Sequence, residues 1–165
     1  IFDSMRRVHG LGKRERLYLR LAVILHECGK YISMADIGET SFQIVMATEI
    51  IGLSQKEREI VANVVRFNHS RFVYDGQQGD GGNMNREAFL VVAKLTAILR
   101  LANSLDRSHK QKLKGLKAAL KENQLILTVD TQADITLEKG FFVANSDFFQ
   151  EVFSVEPVLK QRKIF

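Results

Sequence analysis

The stretch Lys-Glu-Asn-Gln-Leu-Ile-Leu-Thr-Val-Asp at residues 121–130 marks a change in the hydrophobic pattern of the chain. Upstream of Asn123, apolar residues recur every three or four positions, which is typical of amphipathic helices. From Leu125 to Val129 they alternate at period 2, which is typical of a strand. The change predicts a mainly α fold in two parts, a helical domain over residues 1–122 and a small α+β domain over residues 123–165.

Apolar periodicity and residues that favour helix ends predict four helices in the first domain. The last of them is apolar on more than one face, so we expect it at the centre of a bundle. The predicted helices are Arg16 to Ile32, ended or loosened at Gly29; Thr40 or Ser41 through Ile51; the capping box Ser54-Gln55-Lys56-Glu57 to about Phe67; and Asn85 to Asp106.

The second domain is predicted to follow the order strand, strand, helix, strand. The alternating run at Leu125 is followed by a polar turn and a second short run through Ile135 and Leu137, which together indicate a hairpin. A short helix is then expected after Asn145 or Ser146. Pro157 is expected to open a last strand that ends at Lys163.

Length and composition indicate a globular domain outside the membrane. Hydrophobic residues make up 45% and charged residues 26% of the 165 positions, which excludes a disordered or fibrous chain. The apolar stretches are too short to cross a bilayer. Cys28 is the only cysteine, so no internal disulfide can form and a cytoplasmic location is expected. The chain starts at Ile1 without a signal peptide, and we expect it to be part of a longer protein.

The pair His26-Glu27, at the end of an apolar helix, is the strongest candidate for chemistry. An imidazole and a carboxylate can share a divalent ion if a distant acid and a further histidine complete the shell. Asp106 can supply the acid, because a carboxylate after a very apolar helix needs a partner. His9 or His69 can supply the histidine. The alternatives are a His26 that only caps a carbonyl, an Asp106 satisfied by Arg107, His26 or water, and surface or capping roles for His9 and His69.

Charge is unevenly distributed, because the net charge of +5 divides into −2 from Leu125 onward and +7 before it. Much of the excess lies in one basic run. This run is either a solvated helix face or a site for a polyanion, which is held by many modest Coulomb contacts. It lacks the aromatic residues that stack on bases, so an inorganic polyphosphate is favoured over DNA or RNA. Its members are Arg107, Lys110, Lys112, Lys114, Lys117 and Lys121.

A glycine-rich segment at residues 76–82 also invites a phosphate-binding interpretation, since glycines let backbone amides approach an anion. It has no Lys-Ser or Lys-Thr ending and no strand clearly before it, so it does not match a P-loop. A connecting loop is the preferred interpretation.

Four motifs together resemble the C-terminal part of exopolyphosphatases and guanosine pentaphosphate phosphohydrolases. They are HGLG at 9–12, LHECG at 25–29, VVRFNH at 64–69 and AILRLANSLDRSH at 97–109, of which LDRSH is the most specific. LHECG also resembles the His-Asp-x-Gly motif of HD-domain phosphohydrolases. Glu27 stands where HD domains have Asp, and residues 37–42 lack the histidine that relatives often carry there.

The resemblance implies an HD-like helical bundle followed by a small C-terminal domain, with the catalytic centre of the parent protein in upstream actin-like domains. The first functional hypothesis is a non-catalytic module that binds polyphosphate or pentaphosphate nucleotide and assembles a homodimer. The second is a working phosphohydrolase in which His26, Glu27 and Asp106, with His9 or His69, hold a divalent ion that activates water. For the parent enzyme the resemblance implies a divalent metal ion such as Mg²⁺ or Mn²⁺. A signalling scaffold without a phosphate ligand is the third.

Overall fold

The computed structural model describes residues 1–74, 84–107, 109–113 and 115–162. Its helices and strands confirm a mainly α fold with a small α+β part. The helices are α1 (Arg6–His9), α2 (Lys13–Leu25), α3 (Ile37–Ala47), α4 (Gln55–His69), α5 (Arg86–Ser104) and α6 (Thr136–Phe153), with 3-10 turns at Asp3–Met5 and Cys28–Tyr31. The strands are β1 (Lys117–Lys121), β2 (Gln124–Asp130) and β3 (Glu156–Arg162).

The chain divides into two compact units. One consists of residues 11–99, and the other of residues 1–10 together with 100–165. The predicted domain boundary at residues 122 and 123 falls in the turn between β1 and β2 and stays a prediction. Among the described residues, no helix combines the length and the apolar character that a membrane crossing requires.

Two helix starts in the unit of residues 11–99 are confirmed by their capping bonds. The Ser54 hydroxyl accepts the Glu57 amide at 3.3 Å, and the Glu57 carboxylate accepts the Ser54 amide at 2.7 Å, which is a complete capping box. The Asn85 side chain accepts the Ala88 amide at 2.8 Å. Helix α5 is buried on several sides, as its apolar pattern predicted, with Val92 and Leu95 fully inaccessible.

The first two predicted helices differ from the observed ones. Helix α3 begins at Ile37 rather than at Thr40 or Ser41, because the Asp36 carboxylate accepts the Glu39 amide at 3.1 Å and caps the helix three residues earlier. Helix α2 ends at Leu25 instead of continuing to Ile32, and the 3-10 turn Cys28–Tyr31 follows it. The earlier start of α3 arises from a capping signal that the apolar periodicity does not contain.

The sheet lies in the other unit and has the order β1-β2-β3. Strand β1 pairs antiparallel with β2, and β3 pairs parallel with β2. On one face of the sheet Leu125, Leu127 and Val129 are fully buried, and helix α6, which contributes the buried Phe142 and Phe149, packs against β3. The order strand, strand, helix, strand is therefore present, although its elements are not all where the sequence placed them.

The predicted second hairpin strand through Ile135 and Leu137 is wrong. Helix α6 begins at Thr136, whose amide and hydroxyl donate to the Asp134 carboxylate at 3.0 and 2.6 Å. Asn145 and Ser146, predicted as caps, lie inside α6 and donate instead to carbonyls one turn earlier, at 2.9 and 2.7 Å. The partner of β2 is β1, in the basic run that was predicted to be helical or solvated.

Glu57 links helices α2 and α4. Besides the Ser54 amide, its carboxylate accepts the Arg14 guanidinium at 2.6 and 3.0 Å and the Tyr18 hydroxyl at 2.6 Å. The bonds from Arg14, then those from Tyr18 and Ser54, hold the pKa of Glu57 well below its ordinary value. Burial and the bond to Glu57 raise the pKa of Tyr18 to about 12. The ionised carboxylate therefore stabilises the folded state.

We expect Glu57→Gln to lower the free energy of unfolding at pH 7 by about 1–3 kcal/mol, since charge-assisted bonds are lost. A carboxyl whose pKa is depressed by folding stabilises the protein above its unfolded pKa and loses that effect as pH falls. The difference between wild type and variant should therefore be complete at pH 7 and shrink below pH 4.5, the ordinary pKa of a glutamate side chain. Urea unfolding across this pH range measures it.

Glu49→Gln is the matched control, because Glu49 is exposed and makes no hydrogen bond to another described residue. We expect a change within about 0.5 kcal/mol for this variant. An equal effect of the two substitutions, or a Glu57 effect that does not change with pH, would contradict the role assigned to the carboxylate.

Candidate functional site

His26 is the C-cap residue of helix α2, as its position after the apolar run predicted. Its Nδ1 lies 2.7 Å from the carbonyl oxygen of Val23. Because a carbonyl only accepts, Nδ1 carries the proton and the ring is held against the last turn of the helix. His26 therefore caps a carbonyl, which is one of the alternatives left open by the sequence.

His69, the last residue of helix α4, lies beside His26. Its Nε2 is 2.6 Å from the carbonyl oxygen of His26, and the two rings are stacked with centroids 6.1 Å apart and planes 11° apart. His69 is exposed and satisfies a carbonyl at the end of α2, in agreement with the predicted surface or capping role. We call His26 and His69 the histidine pair.

Two glycines bring α3 close enough to its neighbours to hold the histidine pair. The Gly29 amide donates to the Ser41 hydroxyl at 2.8 Å, and a Cβ on Gly29 would lie 2.6 Å from the Ser41 nitrogen. A Cβ on Gly38 would lie 2.8 Å from the Arg66 carbonyl oxygen and 3.2 Å from the His69 Cβ. The sequence pattern predicts only that Gly29 ends or loosens a helix, and it does not indicate a role for Gly38.

An ion pair adds a polar contact between α3 and α4 on this side. The Arg66 guanidinium donates to the Glu39 carboxylate at 2.7 Å through Nε and lies 4.2 Å from the centre of the Phe42 ring. These residues lie in or beside the segment 37–42 that lacks the histidine of relatives. Because Glu39 and Phe42 both contact Arg66, the segment 37–42 helps to pack helix α3 against helix α4.

Glu27, the acid that follows His26 in the chain, forms only a long ion pair with Lys30. The Glu27 carboxylate lies 3.9 Å from the Lys30 ammonium, and each of the two side chains is more than a third exposed. Such a pair contributes little to stability, because solvent screens it.

Asp106 and His9 belong to the other unit and have local partners. The Asp106 carboxylate accepts the Gln111 amide at 2.8 Å, and its carbonyl accepts the His109 amide at 2.9 Å, so Asp106 organises the loop after α5. His9 is buried rather than at the surface, with its ring against Phe2 and its Nε2 2.9 Å from the Phe2 carbonyl oxygen. The predicted convergence of Asp106 with His26 stays a prediction.

The predicted metal site of His26, Glu27 and Asp106 with His9 or His69 stays a prediction. Within the part of the chain that the structure describes, no three His, Cys, Asp or Glu side chains lie in an arrangement that can hold one ion. The histidine pair offers two imidazoles, each with one nitrogen turned towards a carbonyl. Two imidazoles without carboxylates do not match a divalent ion such as Mg²⁺ or Mn²⁺, which prefers several oxygen ligands.

The comparison with known families agrees with the motifs that surround the histidine pair. A family model described as "Ppx/GppA phosphatase, domain III" matches residues 1–147. The chain belongs to the Ppx/GppA phosphatase family. The match includes both histidines of the pair and the LDRSH segment, and it confirms the resemblance to the exopolyphosphatase C-terminal region. No individual curated protein matches the chain.

The basic run of this Ppx/GppA domain III contains cations in different environments. Lys112 is partly buried and forms an ion pair with the fully buried Glu138 at 3.3 Å, while also donating to the Asp134 carbonyl at 2.9 Å. Arg107 is exposed and lies 5.1 Å from the centre of the Phe141 ring, and Lys110 is exposed. Lys114 and the glycine-rich segment 76–82 lie outside the described residues.

The Lys112–Glu138 pair is structural. A buried carboxylate is costly unless it is paired and hydrogen-bonded, and Lys112 supplies that pairing from the loop before β1. No local pattern predicts this contact, because strands β1 and β2 and the start of helix α6 lie between Lys112 and Glu138 in the chain.

We expect Gly29→Ala to destabilise domain III by about 1–3 kcal/mol, because the added methyl would meet backbone atoms of α3 that cannot move independently. Gly140→Ala is the matched control, since a Cβ on Gly140, inside α6, has no neighbour within 4 Å. That variant should be stabilised by about 0.5–1 kcal/mol through lower backbone entropy of the unfolded chain. Urea unfolding of both variants tests the contact, and equal stabilities of the two would refute it.

Proposed function

We propose that this domain III is a non-catalytic module of an exopolyphosphatase-like enzyme, which binds inorganic polyphosphate or a pentaphosphate nucleotide for catalysis elsewhere in the same polypeptide. The catalytic site of the parent would lie in upstream actin-like domains. Two observations support the proposal: the chain belongs to the Ppx/GppA phosphatase family, and one of its two compact units has a positive net charge. Residues 1–10 and 100–165 contain thirteen Lys and Arg against nine Asp and Glu, a net charge of +4.

A basic unit in a phosphatase of this family is suited to a phosphate chain, because Coulomb attraction and counterion release act at every contact. Arg107 and Lys110 are exposed and support this role, and Lys114 is proposed with them. Lys112, also predicted as a polyanion ligand, is the weakest member of the set, since its charge is compensated by Glu138 within the fold.

The histidine pair supports a module rather than a metal-dependent phosphohydrolase. Its two ring nitrogens that face carbonyls are occupied, and Glu27 lies near Lys30 instead of beside both imidazoles. These contacts are those of an HD-like bundle in which the His-x-x-Gly motif, His26 to Gly29, packs helices together. No observation favours independent catalysis by His26, Glu27 and Asp106.

We also propose that the module forms a homodimer and acts in the cytoplasm. Large apolar side chains are exposed at the end of α2 and after it, and exposed apolar surface of this kind is typical of contacts between proteins. Tyr31 is 94% and Ile24 is 74% exposed. The other members are Val23, Ile32 and Met34.

The isolated chain should bind polyphosphate with an affinity that falls about tenfold or more between roughly 50 and 200 mM salt, because each released counterion adds to the salt dependence. Fluorescence anisotropy of labelled polyphosphate measures this. Absence of binding at low salt, or binding that does not respond to salt, would overturn the proposal.

Metal analysis and a phosphate-release assay distinguish a non-catalytic module from a metal-dependent phosphohydrolase. We expect less than stoichiometric divalent metal in the purified chain and no release of phosphate that a chelator can abolish. Near-stoichiometric metal with chelator-sensitive hydrolysis would instead establish the phosphohydrolase hypothesis.

The dimer is tested by the double variant Ile24→Glu with Tyr31→Glu. We expect the molar mass in sedimentation equilibrium to fall from that of a dimer to that of a monomer, because each buried carboxylate at the interface would be unpaired. Val143→Glu is the control, since Val143 is exposed on α6 in the other unit. A monomeric wild type, or a double variant that remains dimeric, would contradict the proposed surface.

A further inference from the structure

The three-stranded sheet has one buried face and one accessible face. The burial of β2 alternates strictly, with Leu125, Leu127 and Val129 buried and the residues between them accessible. In β1, Lys117 and Lys121 are exposed, and in β3 Lys160 is exposed. We call the side of the sheet that carries Lys117, Lys121, Thr128 and Lys160 the open face.

Strand register places two of these lysines in one row. Lys117 pairs with Thr128 across the antiparallel β1-β2 ladder, and Lys160 pairs with the same Thr128 across the parallel β2-β3 ladder. Neighbouring strands are about 4.8 Å apart, so the two lysine Cα atoms lie about 10 Å apart with the threonine between them. Side chains of one row project from the same face.

The lysines of the open face are available, whereas its acids are engaged. Lys117, Lys121 and Lys160 form no hydrogen bond or close ion pair with another described residue, and all are exposed. The Asp130 carboxylate accepts two bonds from Arg162, at 2.7 and 3.0 Å. Glu156 accepts a bond from the Gln124 amide at 2.7 Å. Lys117 also lies near enough to Asp130 for its charge to help lower the pKa of that carboxyl, after the larger effect of Arg162. The face therefore presents exposed ammonium groups that form no hydrogen bond with a described residue, next to carboxylates that already accept one.

We propose that the open face binds inorganic polyphosphate, with Lys117 and Lys160 contacting successive segments of the chain and the Thr128 hydroxyl donating to a phosphate oxygen between them. This inference rests on the proposed function and gives it a defined surface. Lysine acts as a point charge towards phosphate and suits a ligand without fixed geometry.

The chemistry of the face favours an inorganic chain over a nucleic acid. Proteins that bind single-stranded nucleic acid on a sheet stack bases on aromatic side chains. The centre of the open face instead carries Ile126 and Val158, which are partly exposed and have no ring. A polyphosphate has no base to stack and needs only repeated positive charge.

The double variant Lys117→Gln with Lys160→Gln tests the face. We expect its affinity for polyphosphate to be about tenfold weaker, and the slope of log K against log salt to be smaller by about 1.4, since two phosphate contacts are lost. The matched control is Lys13→Gln with Lys56→Gln, which removes the same charge from exposed lysines of α2 and α4. We expect the control to bind within about twofold of wild type.

Thr128→Val separates the hydroxyl from the charges. It removes one donor at nearly constant volume, so affinity should fall by a few-fold while the salt slope stays that of wild type. Circular dichroism of every variant verifies that the sheet is folded. A single-stranded RNA oligonucleotide is the competing ligand, and we expect it to displace polyphosphate poorly.

The outcomes distinguish this inference from the proposed function. If wild type binds polyphosphate with a steep salt dependence but the two double variants bind equally well, the open face is refuted and the module remains supported. If RNA competes as well as polyphosphate does, the surface is a nucleic-acid site and the inference is overturned. If wild type does not bind polyphosphate at all, both proposals fail.

Discussion

Backbone contact at two glycines is the constraint on which the unit of residues 11–99 depends. Helix α3 lies against the 3-10 turn at Gly29 and against the carbonyl of Arg66 at Gly38, at distances that leave no room for a side chain. Because α3 is held on both sides, the end of α2 and the end of α4 are fixed relative to each other, and His69 reaches the carbonyl of His26. The histidine that resembles a metal ligand thus belongs to a packing arrangement.

The other unit is organised around satisfied polar groups. Asp106 holds the loop after α5, and Lys112 crosses to the buried Glu138 at the start of α6. These contacts explain why a run of basic residues does not act as one uniform surface. Some of its cations hold the fold together, and others, on β1, are left on the accessible side of the sheet.

Local signals account for the parts of the fold that could be predicted. The Ser54 capping box and the Asn85 cap are formed by residues three positions apart, and α5 is apolar on several faces over many turns. The prediction of a strand at the start of α6 is wrong, because the spacing of Ile135 and Leu137 fits both a short strand and a first helical turn. Strand β1 was missed, because Lys-Ala-Ala-Leu-Lys has little β propensity and becomes a strand through its pairing with β2.

The same division applies to the candidate site. The sequence by itself determined the family, the class of fold, the position of His26 at a helix end and the excess of positive charge, because motifs, apolar spacing and composition are local properties. Only the tertiary structure decided that His69 is the neighbour of His26, that Lys112 is bound to Glu138, and that Lys160 joins Lys117 across Thr128. Such contacts join residues far apart in the chain, and they depend on strand register and helix packing, which local sequence patterns do not encode.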